Sequence, residues 1–148
     1  MKPSSSPVAA TRGTTRRAAL SVLAVAGIWA GVAPALRADE RMVSLDKARA
    51  ETEAGRAILI DIREPREHAA TGVAAGARLL PMQQLKARLD EIPRDPSRPV
   101  LLICNTQNRS SYTLNALRQM GGYEHVRFVE GGMSEWVRRG WPTVPAGG

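Results

Sequence analysis

The chain has 148 residues, of which 43% are apolar and 24% charged, and it carries a formal charge of +7. That is enough for one ordinary domain and too little for two, and the balance excludes a disordered tail, a collagen-like fibre and a multi-span membrane protein. Nucleic-acid binding is excluded too: residues 1–38 hold Lys2, Arg12, Arg16, Arg17 and Arg37 and no acid, leaving 16 basic against 14 acidic residues in the rest.

Residues 1–38 read as an export signal, and residues 39–148 as the domain it delivers. A polar, positive segment ends in Thr14-Thr15-Arg16-Arg17, and a charge-free run from Ala18 to Ala35 follows. Small residues then offer cleavage after Ala35 or after Ala38. The paired arginines and the weakly hydrophobic Ala/Gly-rich run resemble a twin-arginine signal, although Ala19 stands where such signals usually carry Phe, so the ordinary secretory route stays open. The expected location is the periplasm or another exported compartment. No membrane association is expected unless the run is retained as an uncleaved anchor, for which it is just long enough.

Beyond the signal, helix and strand patterns alternate. Leu45 to Ala54 forms a helix behind Ser44 as N-cap and stops at Gly55. Ala57 to Ile62 is a short apolar run of strand type, and Arg78-Leu79-Leu80 a weaker one. Met82 to Ile92 places Leu85, Leu89 and Ile92 on one helical face and ends before Pro93. Pro99 to Ile103 is a strand, Ser110 to Met120 a helix ending at Gly121-Gly122, Val126 to Val129 a strand, and Met133 to Arg139 a helix ending at Gly140. Apolar strands without alternation, separated by helices, predict an α/β fold with a parallel sheet covered on both faces.

Cys104 is the one cysteine, so no internal disulfide and no thiolate-rich metal site is available, and no metal is expected. It directly follows the Val100–Ile103 run and opens the loop Cys104-Asn105-Thr106-Gln107-Asn108-Arg109, which leads into a helix. Ligands of parallel sheets bind at such strand ends. A tight loop at a helix start turns N–H groups inward as an anion nest, and the same field stabilises a thiolate, the nucleophilic form of cysteine. Arg109 adds a permanent cation. The alternative, a core cysteine closing an apolar strand, explains neither the polar loop nor Arg109. Turning so many N–H groups inward also predicts unusual backbone angles in the loop.

These features resemble the rhodanese-like sulfurtransferases in their single-domain, exported form, across roughly residues 41–144. Leu59-Ile60-Asp61-Ile62-Arg63-Glu64-Pro65-Arg66-Glu67 is similar to the family's hydrophobic-Asp-hydrophobic-Arg-x-x-x-Glu opening. Gly72 to Ala77 with Leu80-Pro81, the Cys104–Ser110 loop with four residues between Cys and Arg, and Gly122-Tyr123, Val129-Glu130-Gly131-Gly132, Trp136, Gly140 and Pro142 follow in the family's order. The resemblance implies a five-stranded parallel sheet flanked by helices on both faces. It also implies sulfur transfer through a Cys104 persulfide, with no metal or organic cofactor. The donor would be a small sulfur-containing anion such as thiosulfate, bound by Asn105, Thr106, Gln107, Asn108 and Arg109. The acceptor would be cyanide or a thiol, a protein thiol included. Three departures stand out: Gln107 occupies a position where the family often has Gly, which predicts a strained positive φ there; Asn105 and Thr106 stand where the family loop can carry basic residues, which bears on thiosulfate binding; and Val73-Ala74-Ala75 replaces its His-Ile-Pro.

Other residues carry weaker readings. Asp61 and Arg63, at the end of a central strand, are placed to support the active loop through an ion pair; a scaffold pair, with Glu67 as a further partner, is the alternative. Met133, Trp136 and Val137 read as core, Arg138-Arg139 as a solvated helix end, and His68 and His125 as surface or strand-end residues. Two rival functions use the same thiol: a sulfur-carrier or redox-sensing module, and a cysteine-dependent phosphatase or arsenate reductase. The phosphatase loop usually has five residues between Cys and Arg, against four here.

Overall fold

The computed structural model describes residues 41–147; the export signal read over residues 1–38 lies outside them. The chain runs β1 (Met42–Val43), α1 (Leu45–Glu53), β2 (Ile58–Asp61), α2 (Pro65–Thr71), β3 (Arg78–Leu79), β4 (Val100–Ile103), α3 (Asn108–Met120), β5 (Val126–Val129) and α4 (Gly132–Arg138). The strands form one sheet in the order β1-β5-β4-β2-β3, with every pairing parallel. This is the α/β fold expected of apolar strands alternating with helices.

β4 lies at the centre, and all four of its residues are buried. Successive strand side chains point to opposite faces, which divides the core in two. Val100, Leu102 and then Cys104 join Ile60, Ile62, Leu114 and Leu117 on the face covered by α3. Leu101 and Ile103 join Leu45 and Ala48 of α1 and Met133 and Trp136 of α4 on the other. Cys104 therefore continues the even-numbered face of β4 and lies beneath the start of α3. That helix buries Ser110, Thr113, Leu114 and Leu117, one stripe at three-to-four spacing, and ends at Gly121 with φ +74°.

Beyond the short strand β1, the structure differs from the sequence expectation in four places. The predicted helix over 82–92 is two short 3₁₀ turns, Met82–Gln84 and Leu89–Glu91, because Arg88 leaves the helical region at φ −122°. Its side chain reaches back to Leu79 O, Gln84 and Glu91, and the i,i+3 spacing of the turns still delivers Leu85, Leu89 and Ile92 to the core. Helix α2 was not visible as a periodic pattern, since His68 is its one buried residue. His68 is thus no surface residue: it is 3% exposed, with Nε2 3.4 Å from Asp61 Oδ1 but without the alignment of a hydrogen bond. Met133 and Trp136 are core, whereas Val137 is exposed.

Candidate active site

The loop between β4 and α3 is built against the start of α4. Met133 N–H donates to Cys104 O and Ser134 N–H to Asn105 O, each at 2.8 Å. The first N–H groups of a helix have no internal acceptor, and here the loop carbonyls supply one. In a trans peptide the C=O and the following N–H point in opposite directions. Drawing the carbonyls of Cys104 and Asn105 toward α4 therefore turns the N–H groups of Asn105 and Thr106 away from it. Among the described residues, the N–H groups from Asn105 to Ser110 donate to no backbone oxygen. They are left open to an outside acceptor, at the positive end of the α3 dipole.

The close approach depends on Gly132. It holds φ +60°, and a Cβ built there would overlap the backbone oxygens of Cys104, Asn105 and Thr106. The positive φ predicted for Gln107 is absent: its φ is −150° with ψ −7°, outside the left-handed region, and it serves as the N-cap residue of α3. The positive φ angles lie across the interface instead, at Gly131 and Gly132. Gln107 also reaches across, its Oε1 accepting from Gly131 N–H at 3.2 Å. The side chain expected to line a donor pocket is a strut between two turns.

Cys104 is 1% exposed and its Sγ lies 3.4 Å from Ser110 Oγ, while Asn105 to Asn108 are exposed. Ser110 Oγ also lies 3.1 Å from Gln107 O. Its single proton can serve the carbonyl while the sulfur is a thiol and turn to the sulfur when it is an anion. Ser110 was not among the residues singled out by sequence; its position one turn into a helix behind a strand-end cysteine was the available signal.

Arg109 is paired with Glu67. Its Nη1 and Nη2 each donate to one oxygen of Glu67 at 2.6 Å. Glu67 also accepts from Glu64 N–H at 3.0 Å, closing the N-terminus of α2 behind Pro65. The Arg109 guanidinium, foremost among several causes, holds the Glu67 carboxyl down to about 2, and the pairing raises Arg109. Asp61 and Arg63 form a separate buried pair: Arg63 Nη2 donates to Asp61 Oδ2 at 2.7 Å, and the guanidinium goes on to Thr71 Oγ1 and Gly72 O, both at 2.8 Å. Their hydrogen bonds tie the end of β2 to the end of α2 rather than to the cysteine loop. A cleft of about 400 Å³ opens on the α4 side of the loop, with Gln107, Asp46, Glu130, Glu135 and Arg139 on its walls; Cys104 is not among its lining residues.

Residues 44–139 match the rhodanese-like domain family. A protein of Allochromatium vinosum named sulfurtransferase is 39% identical over 101 residues, which is 68% of this chain and 89% of that one. The crystal structure of a rhodanese-related protein from Thermoplasma volcanium superposes with a TM-score of 0.61 at 27% identity, covering 70% of this chain and 97% of that one. The solution structure of a polysulfide-sulfur transferase homodimer from Wolinella succinogenes gives a TM-score of 0.60 at 29% identity over 77% of this chain and 85% of the other.

Proposed function

The chain belongs to the rhodanese-like family, and from that premise we propose that it transfers a sulfane sulfur through Cys104, taking it from a small anionic donor such as thiosulfate and giving it to a thiol or cyanide. The observation that carries this reading is the placement of one thiol at the end of the central strand, under a loop whose N–H groups have no backbone acceptor. In the first step the Cys104 thiolate attacks the outer sulfur of thiosulfate. A new S–S bond forms, the donor's S–S bond breaks, and sulfite leaves with the bonding pair. The negative persulfide then lies against the same N–H groups, which stabilise the displaced charge without rearranging. In the second step the acceptor attacks the outer sulfur and the Cys104 thiolate is regenerated. A protein thiol is a further candidate acceptor, approaching over the exposed residues Asn105 to Asn108.

We place this activity outside the cytoplasm on the strength of the signal read over residues 1–38, and fractionation with intact-mass measurement tests that location. The activity itself is tested by following sulfite release from thiosulfate in the presence of cyanide, for the wild type and Cys104→Ser. The wild type should turn over and the serine variant should not. Hydrolysis of a generic aryl phosphate without sulfur transfer would assign the loop to phosphate chemistry instead.

A further inference from the structure

We propose that Glu67 is the specificity-determining residue of this site: by holding Arg109 from the side it sets how much negative charge a sulfur donor can bring, and it favours a singly charged donor over a dianion. The inference rests on the sulfur-transfer reading above.

Both terminal nitrogens of Arg109 are taken by the two oxygens of Glu67, at 2.6 Å each. Side-by-side pairing of this kind fixes the plane of the guanidinium as well as cancelling its charge. Glu67 is itself held from behind by Glu64 N–H at 3.0 Å, so it is a fixed counter-ion and not a passing one. Its carboxyl, held down to about 2, stays ionised through the whole working pH range. The charge of Glu64, a second carboxylate, also acts on Arg109. On the opposite side of the loop, the cleft walls hold Asp46, Glu130 and Glu135 against Arg139.

An arriving donor therefore meets N–H groups without a net cation beside them. N–H groups can hold one negative end well. A second charge on the donor has to be paid for by displacing Arg109 from Glu67 or by lying close to a carboxylate. Both penalties fall on thiosulfate. Neither falls with the same weight on methanethiosulfonate, which has the same sulfane sulfur and nearly the same shape but a methyl in place of one charged oxygen. With that donor the Cys104 thiolate gains the outer sulfur, the S–S bond breaks, and methanesulfinate leaves with the electron pair.

The test compares the two donors on the wild type and on Glu67→Gln, which keeps an oxygen for Arg109 and Glu64 N–H and removes the charge. The wild type should show the higher kcat/KM with methanethiosulfonate. In Glu67→Gln, KM for thiosulfate should fall roughly tenfold at low ionic strength with kcat little changed, and the gain should shrink as salt is added. KM for methanethiosulfonate should fall by much less. Glu67→Asp, which restores the charge, should return the donor ratio toward the wild-type value. A donor ratio that is the same in the wild type and Glu67→Gln, with both donors turning over, would overturn the role of Glu67 and leave sulfur transfer standing. Failure of both donors to load Cys104 in the wild type would overturn the sulfur-transfer reading and this inference with it.

Discussion

Replacing Gly132 by alanine should disturb the molecule far more than the same change at Gly55, although the two glycines have similar backbone angles. Their φ values are +60° and +69°, a region where a Cβ costs about 1–2 kcal/mol. Beyond Gly55 there is open space, so Gly55→Ala should lose about that amount and nothing else. At Gly132 the added carbon overlaps three backbone oxygens of the Cys104–Thr106 segment. These cannot move aside without giving up the bonds from Met133 N–H and Ser134 N–H, both 2.8 Å long, and each such bond contributes about 0.5–1.5 kcal/mol. The combined expectation is a loss of about 2–5 kcal/mol for Gly132→Ala. Urea denaturation reads the difference as a shift of midpoint at constant slope. Under conditions where both variants are folded, sulfur loading of Cys104 should slow roughly tenfold or more in Gly132→Ala, because the N–H groups move with the carbonyls. It should be unchanged in Gly55→Ala. Equal stability loss and equal loading rates for the two variants would refute the close-approach argument.

Gln107→Gly should lower kcat/KM for thiosulfate modestly and cost about 0.5–1.5 kcal/mol of stability, since it deletes the strut to Gly131 and relieves no strain; faster turnover would show that the loop is held too tightly by that bond. The stability contributed by the Glu67–Arg109 pair should be complete above pH 4.5 and lost progressively as the pH falls toward about 2, because the folded-state carboxyl is held below its ordinary 4.5. Glu135 is likewise held to about 2, by Arg138 first and then Arg139, so the stability difference between wild type and Glu67→Gln, measured across that window, isolates Glu67. Arg63→Met should destabilise by about 3–5 kcal/mol by leaving Asp61 buried without its partner, as read by chemical denaturation, whereas a loss of activity at full stability would give the pair a direct part in the reaction.

The sheet was legible because its central strands are largely apolar runs without alternation, whereas the place of the thiol beneath α3 followed only from the observed packing of Val100, Leu102 and Cys104 on one face. The short edge strand Met42–Val43 carries no pattern of its own; two residues cannot show a period, and its partners Phe128 and Val129 lie far along the chain. Helix α2 escaped because a seven-residue segment with one buried side chain has no apolar stripe. Its start was nevertheless written in Glu64-Pro65 with Glu67 three residues after Glu64, a pattern of helix N-termini. The pairing of Glu67 with Arg109, 42 residues away, was beyond local reading. Gln107 was misjudged for a related reason: the need for glycine was real, but it belonged to the facing turn at Gly131 and Gly132, which touches the loop only in three dimensions.

The central claim is that Cys104 carries the sulfur between donor and acceptor, and intact mass spectrometry tests it most directly. Purified protein treated with thiosulfate should gain the mass of one sulfur atom and lose it again on adding cyanide. Cys104→Ser, whose hydroxyl can take the place of the thiol beside Ser110 Oγ, should stay folded and show neither change. A mass gain in the serine variant, or a wild-type protein that turns over thiosulfate without ever carrying the extra sulfur, would contradict the account.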